Sequence, residues 1–396
     1  MGAPIASEPP ADTLLARDFV VLTAGHFLQA LGYASMLLLP LYLEHLGATR
    51  TEIGLLMATA SVSGLVSRPL VGWALDNIGR RPTLFAGTAL LVGSMALVWW
   101  VKDIGALIVV QRILAGAGLG TLFTAYFTCA ADLVPASRRT EGLAIFGVSG
   151  LLPLLVNPLS DRIGVGARDV RWFLPLMGGA IALSFVPLVL LREPARATGE
   201  AAFSPRAALA ALSRRELWPV WLAVSALAAL VALFQSFAAV TAEKRGLPGP
   251  SSVWLSYALG AAAVRIFGGK LPDRVGPQRM VVPALGSYIA GALVMASATG
   301  QTGALLAGLL AGIGHGYCFP VLTGQLVTRV PHSFRGSALA SFTALWSASE
   351  LVASPAFGAV ADRWGDAAMF RVAAVITIAL LAAWSLLERR FGHLRA

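Results

Sequence analysis

Twelve apolar runs, most of them about 20 residues long or longer, follow one another along the chain with short polar stretches between them. They lie at about 19–43, 52–75, 83–101, 104–131, 141–160, 171–191, 217–242, 252–272, 279–299, 302–328, 336–360 and 368–388. A helix needs roughly 20 apolar residues to cross ~30 Å of hydrocarbon. The runs are continuous rather than alternating, which excludes membrane-spanning strands. The chain is therefore predicted to be an all-α membrane protein with twelve transmembrane helices.

Composition and charge placement narrow the function classes. Only 13% of the residues are charged, against about 25% in soluble domains. The formal net charge of +10 does not indicate nucleic-acid binding, because the basic residues form short clusters between the apolar runs. Neither an enzyme nor a bound cofactor is expected, since the sequence shows no metal-ligand cluster, phosphate loop or nucleophile triad. Cys129 and Cys318 are predicted to be small buried hydrophobes.

Lys and Arg counts set the predicted topology. With both termini in the cytoplasm, the inner segments carry 17 of these residues and the outer loops carry 9, which is the bias that cytoplasmic loops show. A polar stretch divides the chain in two. The predicted organisation is a cytoplasmic N-terminus (1–18), a six-helix bundle (19–191), a cytoplasmic linker (192–216), a second six-helix bundle (217–388) and a cytoplasmic C-terminus (389–396).

The two halves carry related motifs in the same order. Arg68, Gly72, Asp76 and Gly79 recur 197 residues later, and Pro135 and Arg139 recur at an offset of 196. The later copies are Arg265, Gly269, Asp273, Gly276, Pro331 and Arg335. Six helices return the chain to its starting side, so the halves have the same orientation. Parallel pseudo-symmetric halves of this kind are a transporter architecture.

Two motifs carry a family resemblance. The segment 72–81, GWALDNIGRR, resembles the loop 2–3 signature of the major facilitator superfamily, and 112–118, RILAGAG, resembles its fourth-helix signature. Ala115 stands where Gln is common in the second signature. The antiporter signature of the fifth helix is poorly matched, with Asn157 before Pro158. The resemblance spans the whole chain and implies a solute transporter that works by alternating access.

The resemblance also implies a conformational latch at the turn after the second helix. Glycines would allow close helix approach and a tight turn, while acidic and basic side chains would pair at helix ends. The latch residues are expected to be Gly72, Asp76, Gly79, Arg80, Arg81, Asp132, Arg139 and, in the second half, Gly269, Asp273, Gly276 and Arg335. The alternative is a topological anchor made of basic side chains that reach the membrane surface.

Two of the charged residues inside apolar runs are candidates for the transport pathway. Arg112 is about eight residues into the fourth helix, and Glu350 is about 14 residues into the eleventh. An intramembrane charge is costly, so each should face a cavity or a partner. Arg112 is expected to bind substrate or to form a structural ion pair. Glu350 is the best candidate for proton coupling, and the alternative is a hydrogen-bonded acid between the halves.

Polar side chains on other helices complete the expected pathway. His26, Gln29 and Tyr33 share one face of the first helix. The resemblance implies that helices 1, 4, 7 and 10 line the central cavity, which adds Gln235 and His315. Each of these residues could instead be a hydrogen-bonded contact between helices.

The leading expectation is a secondary efflux transporter for a small organic solute, an antiporter driven by protons. It would act as a monomer in the lipid bilayer of a bacterial inner membrane, with the proton gradient in place of a cofactor. The alternatives are uptake or exchange of a polar or anionic metabolite and, in another class, a membrane sensor that does not transport.

Overall fold

The computed structural model describes residues 16–135, 139–193, 210–269, 271–331 and 334–392, and nearly all of these residues are helical. We number the helices by membrane segment. They are α1 (Arg17–His45), α2 (Arg50–Asn77), α3 (Arg80–Trp100), α4 (Ala106–Leu133), α5a (Arg139–Val148), α5b (Val156–Arg162), α6 (Ala167–Leu190), α7 (Arg215–Lys244), α8 (Ser252–Phe267), α9 (Pro277–Ser297), α10 (Gln301–Thr328), α11 (Arg335–Trp364) and α12 (Asp366–Phe391). Most of the predicted termini and linker lie outside the described residues.

Within the described part, nine helices are long and apolar enough to cross a membrane. The other predicted spans are the broken α5, the shorter apolar helix α8 and α11. The sequence predicts one continuous run at 141–160, but a 3-10 turn at Leu152–Leu155 separates α5a from α5b. Pro153 lies in this turn, and a proline cannot donate the backbone hydrogen bond that a continuous helix needs. α11 spans 30 residues and owes its lower hydropathy to polar side chains that include Glu350.

Helices α1–α6 pack mainly on one another, and so do α7–α12. The two sets meet where α2 crosses α11 and where α5b contacts α8. The fold therefore consists of two helix bundles with a long α2–α11 seam between them.

Within each half, a glycine lets two helices pack closely, and the two helix pairs are equivalent. A Cβ atom at Gly116 of α4 would overlap the backbone of Ala60 on α2, and one at Gly312 of α10 would overlap the backbone of Tyr257 on α8. Small residues at such crossings let helix backbones approach closely in membranes. The α2–α4 and α8–α10 pairs are thus equivalent close crossings, which agrees with the internal duplication.

We expect Gly116→Val to destabilise the protein strongly, because the new side chain must separate α4 from α2. Overpacking typically costs about 1–3 kcal/mol, and more where backbone must move. Gly93→Val on α3 is the matched control, since a Cβ there meets no atom within 4 Å. Thermal unfolding in detergent should show a lower melting temperature for Gly116→Val only. Equal melting temperatures would mean that the crossing can relax.

Candidate functional site

A buried ion-pair cluster closes the end of the molecule at which α2 begins and α11 ends. The Arg50 guanidinium donates to Asp366 through Nε (3.1 Å) and Nη2 (3.2 Å), and through Nη1 to Glu44 (2.7 Å). Asp362 accepts hydrogen bonds from the backbone amides of Arg50 and Thr51, both at 2.8 Å. These contacts join α1 and α2 of the first half to α11 and α12 of the second. We call this end the closed end.

Close backbone packing reinforces the closed end. A Cβ at Gly54 would overlap the carbonyl of Ser354, and one at Gly358 would overlap the carbonyl of Arg50. Nearby, Asp161 of α5b accepts a hydrogen bond from the backbone amide of Ser251 (2.9 Å), just before α8. Two separate junctions between the halves therefore shut the same end, and access to the interior is from the opposite end.

A cavity of about 450 Å³ lies between the halves beyond this seam. Its volume is in the range of small-molecule sites. The polar or charged lining residues are Tyr33, Ser61, Arg68, Arg112, Gln235, Ser236, His315, Thr343, Trp346, Ser347, Glu350 and Ser354. The apolar lining includes Phe123, Phe319 and Phe342. The cavity thus combines aromatic walls with a few charges.

Glu350 lies where both halves contribute to the cavity wall. Its Oε2 accepts a hydrogen bond from the Ser61 hydroxyl of α2 (2.6 Å), and its Oε1 accepts one from Trp346 Nε1 of α11 (2.7 Å). Both carboxylate oxygens therefore have neutral donors. Ser61 lies 289 residues from Glu350 in sequence, so the carboxylate links the two bundles.

Two arginines line the same cavity without an ion pair to a described carboxylate. Arg112 is 5% exposed, and its Nε donates to the backbone carbonyl of Leu56 (3.1 Å). Arg68 of α2 has a buried Nη1 with no hydrogen-bond partner among the described residues. Arg68 was predicted as part of the repeat but not as a site residue, although its position inside the apolar run 52–75 indicates a charge that needs a cavity or a partner.

The remaining pathway candidates separate into two groups. Tyr33, Gln235 and His315 line the cavity, and His315 Nδ1 lies 2.6 Å from the Tyr257 hydroxyl. His26 and Gln29 do not line it and are 7% and 2% exposed.

His26 has a structural environment inside the first bundle. Its Nδ1 lies 2.6 Å from the Ser149 hydroxyl, and its ring stacks on Phe146 with the ring centroids 4.5 Å apart. The expectation that His26 and Gln29 face the cavity is corrected: neither residue lines it, and His26 contacts residues of the first bundle.

The turn between α2 and α3 is tied to other helix ends of the first half. Arg80 Nε donates to Asp132 at the end of α4 (2.9 Å), and both side chains are nearly buried. Arg81 donates to the backbone carbonyls of Leu188 (3.0 Å) and Val189 (2.9 Å) in α6.

Glu193, which was not among the predicted latch residues, makes a further contact with this turn. Its carboxylate accepts hydrogen bonds from the backbone amides of Arg80 and Arg81 at the start of α3. A carboxylate at a helix N-terminus satisfies free amide groups and complements the helix dipole. Gly79 precedes this helix with φ +128°, where a residue with a side chain would be strained.

Asp76 does not form the ion pair that was predicted for it in the latch. Its side chain is exposed, and among the described residues it forms no ion pair or hydrogen bond. Arg80 is already paired with Asp132 and Arg81 with backbone carbonyls, so neither takes Asp76 as its partner in this conformation. At Gly72, a Cβ would meet no atom within 4 Å, so no close helix approach depends on it here.

The second copy of the turn is built differently. Gly276 precedes α9 with φ +99°, as Gly79 precedes α3. Gly269 lies in the turn after α8, and Arg335 is exposed with its Nε donating to the Val327 carbonyl (3.1 Å). The side chains of Arg139 and Asp273 lie outside the described part of the structure.

Arg329, which was not predicted as a site residue, joins several helix ends of the second bundle at the end opposite to the closed end. Its Nη2 donates to Glu388 of α12 (2.6 Å) and to Gln325 (3.1 Å), while Nη1 donates to the carbonyl of Glu216 (3.1 Å). The two bundles thus fasten their helix ends through different residues.

We expect Asp76→Asn to impair solute flux in proteoliposomes several-fold more than Asp273→Asn. The first turn keeps both arginines and Asp132, whereas Thr328 replaces that acid in the second copy. Exposed Asp76 is free to accept a new contact when the bundles rearrange. Equal defects in the two variants would overturn this ranking.

The sequence matches a family of known proteins. The family model described as Major Facilitator Superfamily matches residues 22–353. An uncharacterized MFS-type transporter of Salmonella typhimurium is 25% identical over 380 residues, 90% of this chain and 92% of that protein. The quinolone resistance protein NorA of Staphylococcus aureus is 25% identical over 189 residues, 46% of this chain and 47% of NorA.

A solved structure agrees with the fold. The nucleoside transporter NupG superposes with a TM-score of 0.78 at 13% identity, over 94% of this chain and 99% of NupG. The family match covers most of the sequence and the superposition covers both bundles. The chain belongs to the major facilitator superfamily of membrane transporters.

Proposed function

We propose that this protein is a proton-coupled secondary transporter that carries a small organic solute through the cavity by alternating access. The observation that supports it best is the position of Glu350. This carboxylate lines the cavity, and it links α11 of the second half to Ser61 of the first. A proton gained or lost there changes a contact between the halves as well as the charge of the cavity.

Alternating access needs one seam that opens and another that closes. The Arg50 cluster holds the closed end, and the turn with Asp76 lies at the other end of α2. We propose that Gly72, Asp76, Gly79, Arg80, Arg81 and Asp132 form the latch of the alternate state, as the family resemblance implies. Asp76 would then exchange its exposed position for a contact with the second bundle.

Two directions of transport have separate support. The likeness to NorA over about half the chain favours export, since the name of that relative refers to quinolone resistance. Arg112 has no acidic partner among the described residues, which favours uptake or exchange of an anionic metabolite.

We propose that the protein acts as a monomer in a bacterial inner membrane, with both termini in the cytoplasm. The proton gradient would be its driving force.

Flux in proteoliposomes tests the proposal. We expect solute flux to depend on an imposed pH gradient in the wild type, and Glu350→Gln to remove most of that dependence because the amide cannot exchange a proton. The gradient should be imposed in both directions. Gradient-independent flux by the wild type, or unchanged pH dependence in Glu350→Gln, would overturn the coupling role. No flux of any solute would favour a sensor that does not transport.

A further inference from the structure

The charges of the cavity do not balance. Among its lining residues, Arg68 and Arg112 carry positive charges, Glu350 is the one acid, and His315 is counted as neutral. The net charge of these side chains is therefore +1 when Glu350 is ionised and +2 when it is protonated. Buried cations are costly in a membrane unless they pair with an opposite charge. An excess of positive charge around a cavity favours a negatively charged occupant.

Neither arginine has its hydrogen-bonding capacity filled by the protein. The contact that the structure gives for the Arg112 guanidinium is the one from Nε to the Leu56 carbonyl, although Arg carries five N–H donors. Arg68 has a buried Nη1 without a partner among the described residues. Guanidinium groups bind carboxylates through short, charge-assisted hydrogen bonds. Both side chains line the same cavity, so one anionic ligand can reach them in turn.

The three charges are ordered along α2. Arg112 contacts Leu56, Glu350 contacts Ser61, and Arg68 lies further from the closed end. At 1.5 Å per residue, Ser61 is about 7 Å beyond Leu56, and Arg68 is about 10 Å beyond Ser61. A solute that enters from the opposite end therefore meets Arg68 first, then Glu350, then Arg112.

Glu350 can change its protonation state without losing its hydrogen bonds. The Ser61 hydroxyl is both a donor and an acceptor, so it can donate to the carboxylate or accept from the protonated acid. Trp346 Nε1 only donates, and it can keep donating to the other oxygen in either state. The site therefore tolerates a proton without leaving a buried polar group unpaired.

A bound anion and an ionised Glu350 repel each other in this cavity. The titratable or charged side chains that surround Glu350 are Arg68 from α2, Arg112 from α4, His315 from α10 and Tyr33 from α1, while the lining residues of α7 are uncharged. A proton on Glu350 removes the only negative charge of this set. Coupling between two ligands is reciprocal, so a proton that favours the anion is itself favoured by the anion.

From this geometry we infer that the cavity binds an organic carboxylate together with a proton on Glu350, with Arg68 and Arg112 as the binding residues for the anion. The aromatic side chains of Tyr33, Phe123, Phe319, Phe342 and Trp346 line the cavity and would contact an apolar body. Binding of proton and anion together makes the transport a symport. The inference rests on the proposed transport function and, with an inward proton gradient, makes uptake the driven direction.

A binding experiment on the purified protein in detergent tests the inference without any flux. The probes are 2-naphthoate, the neutral 2-naphthamide and the cationic 2-naphthylmethylamine, at pH 5.5 and pH 8, with the melting temperature and the tryptophan fluorescence as readouts. We expect 2-naphthoate to bind at least ten times more tightly than the other two, and at least ten times more tightly at pH 5.5 than at pH 8.

Three variants assign the effect to the named residues. Glu350→Gln should bind 2-naphthoate tightly at both pH values, which also separates Glu350 from His315 as the titrating group. Arg68→Gln should lose most of the preference for the anion. Arg389→Gln, at the exposed end of α12, is the control and should behave as the wild type.

Several results would overturn the inference: no binding of 2-naphthoate, equal binding of the neutral amide, tighter anion binding at pH 8, or an unchanged anion preference in Arg68→Gln. Failure of the proposed function looks different. A protein that binds anion and proton together but carries no flux in proteoliposomes would refute transport and leave the inference standing. Flux of a neutral or cationic solute alone would refute the inference and leave transport standing.

Discussion

Arg112→Met should abolish most solute transport without lowering the thermal stability of the protein. Arg112 is 5% exposed in α4 and has no acidic partner among the described residues. An arginine inside a membrane helix is costly, about 2.5 kcal/mol or more at the helix centre, and Arg112 is buried at the seventh residue of α4. Methionine removes that cost and keeps much of the side-chain volume. The melting temperature should therefore stay the same or rise.

The loss of transport follows from the hydrogen bonds that the guanidinium can give to a solute. A hydrogen bond to a charged group contributes about 1.5–3 kcal/mol, which corresponds to roughly a 10- to 100-fold change in affinity. We expect a loss of flux of that order in proteoliposomes.

Gln111→Met is the matched control for this experiment. Gln111 precedes Arg112 on α4, is fully buried, and has both amide atoms without a partner among the described residues. It does not line the cavity. Removing a buried unpaired amide should raise stability by about 1–3 kcal/mol and leave flux unchanged. If Arg112→Met instead unfolds at a lower temperature and transports normally, the arginine has a structural role.

The sequence predicted the helices well because each membrane span depends on local hydropathy. The run at 52–75, for example, became α2 at Arg50–Asn77. The prediction was less accurate for the fifth span, where Pro153 lies between two short helices. An apolar run shows that a segment is buried in the membrane, but it does not show whether its backbone is continuous.

The site was predictable only in part. Arg112 and Glu350 were found because a charge inside an apolar run is unusual, and the structure places both at one cavity. Of the two hydrogen-bond partners of Glu350, only Trp346 could be predicted from the sequence, because it lies four residues earlier on the same helix. Ser61 could not be found, because its contact depends on how the two bundles pack against each other.

The same limit explains the errors on the first helix. Helical periodicity correctly puts His26, Gln29 and Tyr33 on related turns, but it does not show which side of α1 faces the cavity. Only Tyr33 lines the cavity, and His26 packs against Phe146 in its own bundle. Rotation of a helix about its axis is set by contacts with its neighbours, and those are long-range.

Arg50→Met should open the closed end of the molecule. Arg50 is 5% exposed and forms a two-point ion pair with Asp366 across the halves. Removing one partner of a buried pair costs about 3–5 kcal/mol because the other charge is left unpaired. This conformation buries Asp366 against α2, and we expect opening of this end to expose Asp366 to water, so the cost should fall on the closed conformation. A cost of this size shifts the equilibrium between conformations more than 100-fold.

Accessibility of a cysteine in the cavity measures this shift. Ala232→Cys places the probe on the cavity wall in α7, and the native Cys129 and Cys318 are buried, so background labelling is low. A membrane-impermeant maleimide is added from the side where α2 begins, which the topology predicts to be the outside of the cell. The labelling rate should rise at least tenfold when Arg50→Met is combined with the probe.

Two further variants separate the ion pair from other effects of mutation. Arg363→Gln changes an exposed arginine at the same end that contacts Trp364, and it should leave labelling unchanged. Replacing both members of the buried pair, Arg50→Met with Asp366→Leu, removes the buried acid that Arg50→Met leaves unpaired, whereas Glu44, the other partner of Arg50, is 29% exposed and can be hydrated. The double variant should restore slow labelling, because apolar replacements of a buried pair are often neutral or stabilising. If Arg50→Met alone labels as slowly as the wild type, helix packing around Gly54 and Gly358 closes this end without help from the charges.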